Sequence, residues 1–134
     1  MGLDMHVYHT NGVELTEENF EEYFMGQWQD FYWRKANAIH GWFVDTVQGG
    51  KDECQITEIN WPDLLNLKSL CLAALKYPSD AASVLPTHQG FFFGSYDYDE
   101  YYMEDLRTTI GYIEKMQEMK KENPQTRFFY NASW

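Results

Sequence analysis

Apolar and polar residues alternate from Leu3 to Thr10: Leu3, Met5 and Val7 fall on one side, Asp4, His6 and Tyr8 on the other. Side chains of a strand point alternately to opposite faces, so the pattern predicts a half-buried strand. The turn pair Asn11-Gly12 closes it. The period then lengthens. Phe20, Tyr23, Phe24 and Trp28 recur at helical spacing between Glu17 and Gln29. Thr16 stands where a helix cap would, with Glu17 and Glu18 in the first turn, where the dipole favours acid. This segment reads as a short helix or an ordered insertion.

The stretch from Phe31 to Val47 is the densest. Tyr32, Ala36, Ile39, Phe43 and Val47 step by four, three, four and four, which predicts one helix with an apolar stripe. Trp33, Asn37, His40 and Val44 form a second stripe beside it, with Arg34 and Lys35 at its N-terminal end. Gly49-Gly50 ends the element. This helix is expected to organise the chain, because a core face and a polar-aromatic face share it.

Downstream, Gln55–Ile59 reads as a short strand. Asn60, Trp61, Pro62 and Asp63 read as a helix start. Asp63–Tyr77 is apolar almost all round, which predicts a buried helix, ended by Pro78 and followed by a loop over Ser79–Thr87. Gly90-Phe91-Phe92-Phe93-Gly94 predicts a strand or buried turn. Asp99–Asn123 predicts a long helix with Tyr102, Leu106, Ile110 and Ile113 facing in, Lys115, Lys120 and Lys121 suiting the dipole at its end, and Pro124 stopping it. Thr126–Tyr130 predicts a last strand, pairing with the first. The expected architecture is a single α+β domain over residues 1–134, with about three helices on a small, mainly antiparallel sheet.

Composition sharpens this in two respects. Aromatic residues make up 18% of the 134 positions, more than a small core readily hides, so some rings are expected at the surface or in a pocket. Ten basic residues face 21 acidic ones, a net charge of −11. That balance argues against nucleic acid, which needs a basic footprint, and against anionic membranes. It suits a soluble protein, or one that imitates a polyanion. The two cysteines, Cys54 and Cys71, form neither a disulfide framework nor a zinc motif. No signal peptide or membrane span is apparent. His6 stands where a myristoylation signal would need Ser or Thr.

Candidate chemistry concentrates in the organising stretch. Arg34 offers fork-like donors for phosphate or carboxylate, Lys35 a second cation, and Trp33 and Phe93 stacking surfaces; Asn37 and His40 add hydrogen bonds. The plainer reading of the same residues is a core helix whose cations offset the acid of 17–30. Asp97, Asp99, Glu100, Glu104 and Asp105 form a carboxylate cluster whose spacing fits no metal loop and whose position suits a helix start. Asp4 and His6 are a weaker pair, and a hydrolase using His40 and Asp4 a distant third reading. No nucleophile elbow, Walker loop or HExxH motif occurs, and Cys71 lies in an apolar helix that would keep its thiol inert.

Gly2-Leu3-Asp4-Met5, Trp33-Arg34-Lys35 with Asn37 and His40, Gly90-Phe91-Phe92-Phe93-Gly94 and terminal Ser133-Trp134 together resemble a set of small uncharacterised proteins of phages, prophages and bacteria. The acidic insertion at Glu17–Asp30 departs from that set. The resemblance implies a phage-type accessory protein in the host cytosol, of the kind that counters host defence. The leading expectation is therefore a non-enzymatic, cofactor-free protein that sequesters a small anionic, nucleotide-like ligand through Trp33, Arg34, Lys35, Asn37, His40 and Phe93. The alternative is an acidic inhibitor that occupies a basic surface of a host defence protein, with no direct nucleic acid or membrane partner.

Overall fold

The computed structural model describes residues 2–20, 31–88 and 94–134. Four strands, β1 (Asp4–Thr10), β2 (Phe31–Arg34), β3 (Thr57–Ile59) and β4 (Arg127–Ser133), form one sheet in the order β2-β1-β4-β3, with every pairing antiparallel. Helices α1 (Asn37–Thr46), α2 (Trp61–Lys76), α3 (Ala81–Val84) and α4 (Glu100–Glu122) complete an α+β fold.

The first and last strands pair as their patterns predict, in the register Val7 opposite Tyr130. β4 runs three residues beyond the expected Tyr130. The side chains that alternation sends to one face (Leu3, Met5, Val7, Phe128, Tyr130 and Ala132) are all buried. They meet Ile39 and Phe43 of α1, Leu64 and Leu67 of α2, and Leu106 and Ile113 of α4 in the main core. The opposite face is also largely covered rather than solvated: His6 and Tyr8 are buried, and Tyr8 packs with Leu15 and Phe129 in a second small cluster.

The expected helix over 31–47 is corrected. Its first part is strand β2, with Phe31 and Trp33 buried and Tyr32 and Arg34 exposed, paired with Asp4–Val7. Three aromatic residues in a row, Phe31, Tyr32 and Trp33, suit a pleated edge, and a period of two competes with the helical period over so short a span. Lys35 then adopts φ of +56°, a left-handed conformation that no helix interior contains. Its N–H still bonds the Leu3 carbonyl at 2.8 Å, so the ladder ends there and α1 begins at Asn37.

Two smaller expectations change as well. α2 buries one stripe, Leu64, Leu67, Cys71 and Ala74, while Leu72 lies half exposed. The expected loop after Pro78 contains a 3₁₀ turn (Pro78–Asp80) and the one-turn helix α3. It is pinned where the Tyr102 hydroxyl donates to the buried Leu85 carbonyl at 2.7 Å. α4 matches its pattern: Asp99 caps it by accepting from the Tyr102 N–H, Tyr102, Leu106 and Ile113 are buried, and Ile110 is half-buried. Thr16 and Asn19 exchange the reciprocal bonds of a capping box. Residues 21–29 of the expected Glu17–Gln29 helix, and most of the Gly90–Gly94 run including Phe93, lie outside the described residues. Among the described residues, no helix is long and apolar enough to cross a membrane.

Candidate functional site

The six residues expected to form one ligand site are parted by the turn at Lys35. Trp33 points into the core, 4% exposed, where its indole N–H donates to Thr109 Oγ1 at 2.9 Å. It offers no open face for stacking. Arg34, one residue on, points to the opposite face of the sheet and pairs with Asp4 at 3.0 Å. The Tyr32 hydroxyl donates to the same Asp4 oxygen, and this bond, helped by Arg34, holds the Asp4 carboxyl below its usual range. Phe93 lies outside the described residues. Lys35 and Asn37 stay together at the start of α1, while His40 turns to a separate set of partners.

α1 serves two polar neighbourhoods. On one side His40 is fully buried, with Nδ1 2.6 Å from the Tyr130 hydroxyl and Nε2 2.9 Å from Asp52 Oδ1. Because a carboxylate only accepts, His40 donates through Nε2, and the Tyr130 hydroxyl donates its hydrogen bond to Nδ1. Burial lowers the His40 pKa and raises that of Tyr130 well above the ordinary value, so both groups stay neutral. The Trp134 indole donates to Asp52 Oδ1 at 3.0 Å, and His88 Nε2 stands 3.8 Å from Oδ2. A half-buried carboxylate is thus fixed by donors from α1 and the C-terminal end, with His88 at its outer side. His88 approaches this closely because position 41 has no Cβ: one built there would lie 2.8 Å from His88 Cβ.

On the other side, the Asn37 side chain donates to the Ser95 carbonyl at 2.7 Å and accepts from the His88 N–H at 3.1 Å. One buried amide therefore ties segments 87–88 and 94–95 to the helix. Gly94, at φ of +90°, comes so close to Lys35 that a Cβ would meet Lys35 Cβ at 3.1 Å. A cavity of about 50 Å³ lies here, lined by Lys35, Asn37, Ser95, Asp97, Asp99 and Asp105 among others. Desolvation, with Asp99 and Glu104 nearby, pushes the Asp105 carboxyl up to about 6. Tyr101, which also lines this cavity, is 82% exposed, and Tyr96 and Tyr98 are exposed as well.

The cations are distributed in a telling way. All three arginines of the sequence are engaged with carboxylates: Arg34 with Asp4, Arg107 with Glu100 and Glu104, and Arg127 with Glu58 in a two-pronged contact. Among the described residues, no ion pair engages the carboxylates of Asp97 and Asp105. Among the described residues, no group of three or more His, Cys, Asp or Glu side chains is arranged to hold a metal ion. Cys71 is buried and its thiol is pushed up to about 12 by desolvation, as its apolar helix implies.

The sequence singles out Asn37 and His40 but not the residues they bond, Asp52, His88 and Tyr130. Asp52 follows a Gly-Gly turn and Tyr130 sits in an apolar strand, and neither position carries a spacing signal that links it to His40, 12 and 90 residues away. Compared with known proteins, the chain matches no family model, no curated protein and no solved structure.

Proposed function

We propose that the protein works as an acidic binding protein, its surface at Tyr96–Asp105 engaging a basic face of another protein. The observation that carries this is the mixture of exposed Tyr96, Tyr98 and Tyr101 with Asp97, Asp99 and Asp105, which stand apart from the Arg107 pairs of Glu100 and Glu104. Tyrosine supplies large contact area at low entropic cost, and charge complementarity supplies orientation and a fast on-rate. Asp105 strengthens the case, since a partly desolvated carboxyl without a cation gains from one brought by a partner. The resemblance to phage and prophage proteins adds the setting: a host protein in the bacterial cytosol, with counter-defence as the role.

The small-ligand reading draws less support. A nucleotide needs a pocket of about 300 Å³ or more, the cavity beside Lys35 is about 50 Å³, and three aspartates line it. The test is capture from bacterial lysate by the immobilised protein at about 50 mM and about 500 mM salt, a range over which exposed charge pairs become screened. A variant carrying Tyr101→Ser and Asp97→Asn is run beside it. A basic protein held at low salt, released at high salt and retained several-fold less by the variant is expected. Capture indifferent to both salt and the substitutions would overturn the reading.

A further inference from the structure

A second concavity adjoins the tyrosine surface. It is a groove of about 160 Å³ between α1 and segment 84–88, lined by Trp42, Asp45, Thr46, Val84, Pro86 and His88 among others. Thr87 links the two regions: it lines the groove, its N–H donates to the Tyr98 hydroxyl at 3.0 Å, and its Oγ1 donates to the Tyr96 carbonyl at 3.2 Å.

The groove has an apolar wall and a negative end. Trp42, Val84 and Pro86 supply the wall. Asp45 supplies the negative end, and it lies in the last turn of α1, where the helix dipole is itself negative and where the helix has no basic residue. An acid there is unfavourable on its own, and among the described residues no ion pair engages Asp45. The volume is similar to that of a cavity known to hold one benzene-sized group, about 150 Å³, so one side chain fills it and a nucleotide does not.

We propose that this groove seats a single arginine side chain of the basic partner, an inference that rests on the protein-binding reading above. The methylene stem would lie along Trp42, Val84 and Pro86, as long cationic side chains do on apolar surface. The guanidinium would reach the Asp45 carboxylate and the carbonyl end of α1. A planar fork of donors serves both acceptors at once, which the compact ammonium of lysine does less well. Desolvated arginine anchors beside an aromatic rim are a common centre of binding energy at protein interfaces.

The experiment is an NMR titration of the ¹⁵N-labelled protein with two acetylated and amidated peptides, Gly-Gly-Arg-Gly-Gly and the same peptide with citrulline in place of arginine, together with a hexa-arginine peptide. The arginine pentapeptide is expected to shift the amides of Gly41, Asp45, Thr46 and His88 and to saturate. The citrulline peptide should leave them unmoved. Asp45→Asn, at an exposed position, should weaken the arginine peptide about tenfold, as loss of a charge-assisted bond does. If the arginine peptides shift only Tyr96–Asp105 amides and ignore Asp45→Asn, the groove is not the seat, while the acidic-surface reading stands. If hexa-arginine at low salt shifts nothing, both fail.

Discussion

Gly41 lies in the middle of α1, where glycine ordinarily costs about 0.5–1 kcal/mol relative to alanine. Helix propensity alone therefore says that Gly41→Ala stabilises the protein. The neighbouring chain reverses this, because the added methyl would sit 2.8 Å from His88 Cβ and 3.1 Å from its Cγ. These are atoms near the backbone rather than the tip of a flexible side chain, so relief means moving segment 87–88, which Asn37 also holds. The substitution is expected to destabilise by about 1–3 kcal/mol, the usual cost of overpacking, read from the midpoint of urea unfolding. A gain in stability would mean that His88 swings away freely and that its place beside Asp52 is not enforced.

At the scale of elements, the junction of β2 and α1 decides which side chains are available. Trp33 and Arg34 are neighbours in sequence, yet one fills the core and the other meets solvent on the far face, since strand side chains alternate. Truncation separates the two roles. Trp33→Ala removes a ring packed against Phe43 and Tyr112 and the hydrogen bond its indole gives Thr109, and should cost about 3–5 kcal/mol. Arg34→Ala breaks a pair that water already screens and should leave the unfolding midpoint nearly where it was. Were 31–34 the first turn of a helix with Trp33 on an open face, the order would be less lopsided. The same alternation explains why a reading based on steps of three and four put both residues on one ligand-facing surface. A four-residue stretch with three aromatics satisfies either period, and the left-handed turn at Lys35 is not written in residue type, since lysine has no preference for it.

Across the whole molecule, titratable groups pull stability in opposite directions with pH. His6 and His40 are buried, and desolvation lowers both from 6.5. The unfolded chain takes up their protons first, so the stability they leave intact above about pH 6.5 is lost as pH falls towards their folded values. Asp105 is raised from 3.8 to about 6. Its contribution is present below about pH 4 and is lost as pH rises through 6. Asp105→Asn should therefore raise stability at pH 8 by on the order of 1 kcal/mol, discounted for the solvent that still reaches the group. It should also steepen the fall below pH 6.5, because the opposing term is gone. Urea midpoints at pH 8, 6.5 and 5 measure both effects. A variant no more stable than the parent at pH 8 would show that Asp105 ionises there without penalty.

The sequence determined the parts whose information is local. Alternation at Leu3–Thr10 and the helical spacing over Asp99–Asn123 gave elements that occur within a residue or so of the expected bounds, because a buried face repeats at the period of the backbone that carries it. The antiparallel pairing of first and last strands and the α+β class followed from those elements. The excess of acid followed from counting. What the tertiary structure alone decided is which residues meet. His40 finds Asp52 and Tyr130, Asn37 finds Ser95 and His88, and each arginine finds a carboxylate. Hydrogen bonds and ion pairs act over about 3 Å, whatever the separation along the chain, so no periodicity records them. They follow only once the hydrophobic core has fixed where the backbone runs.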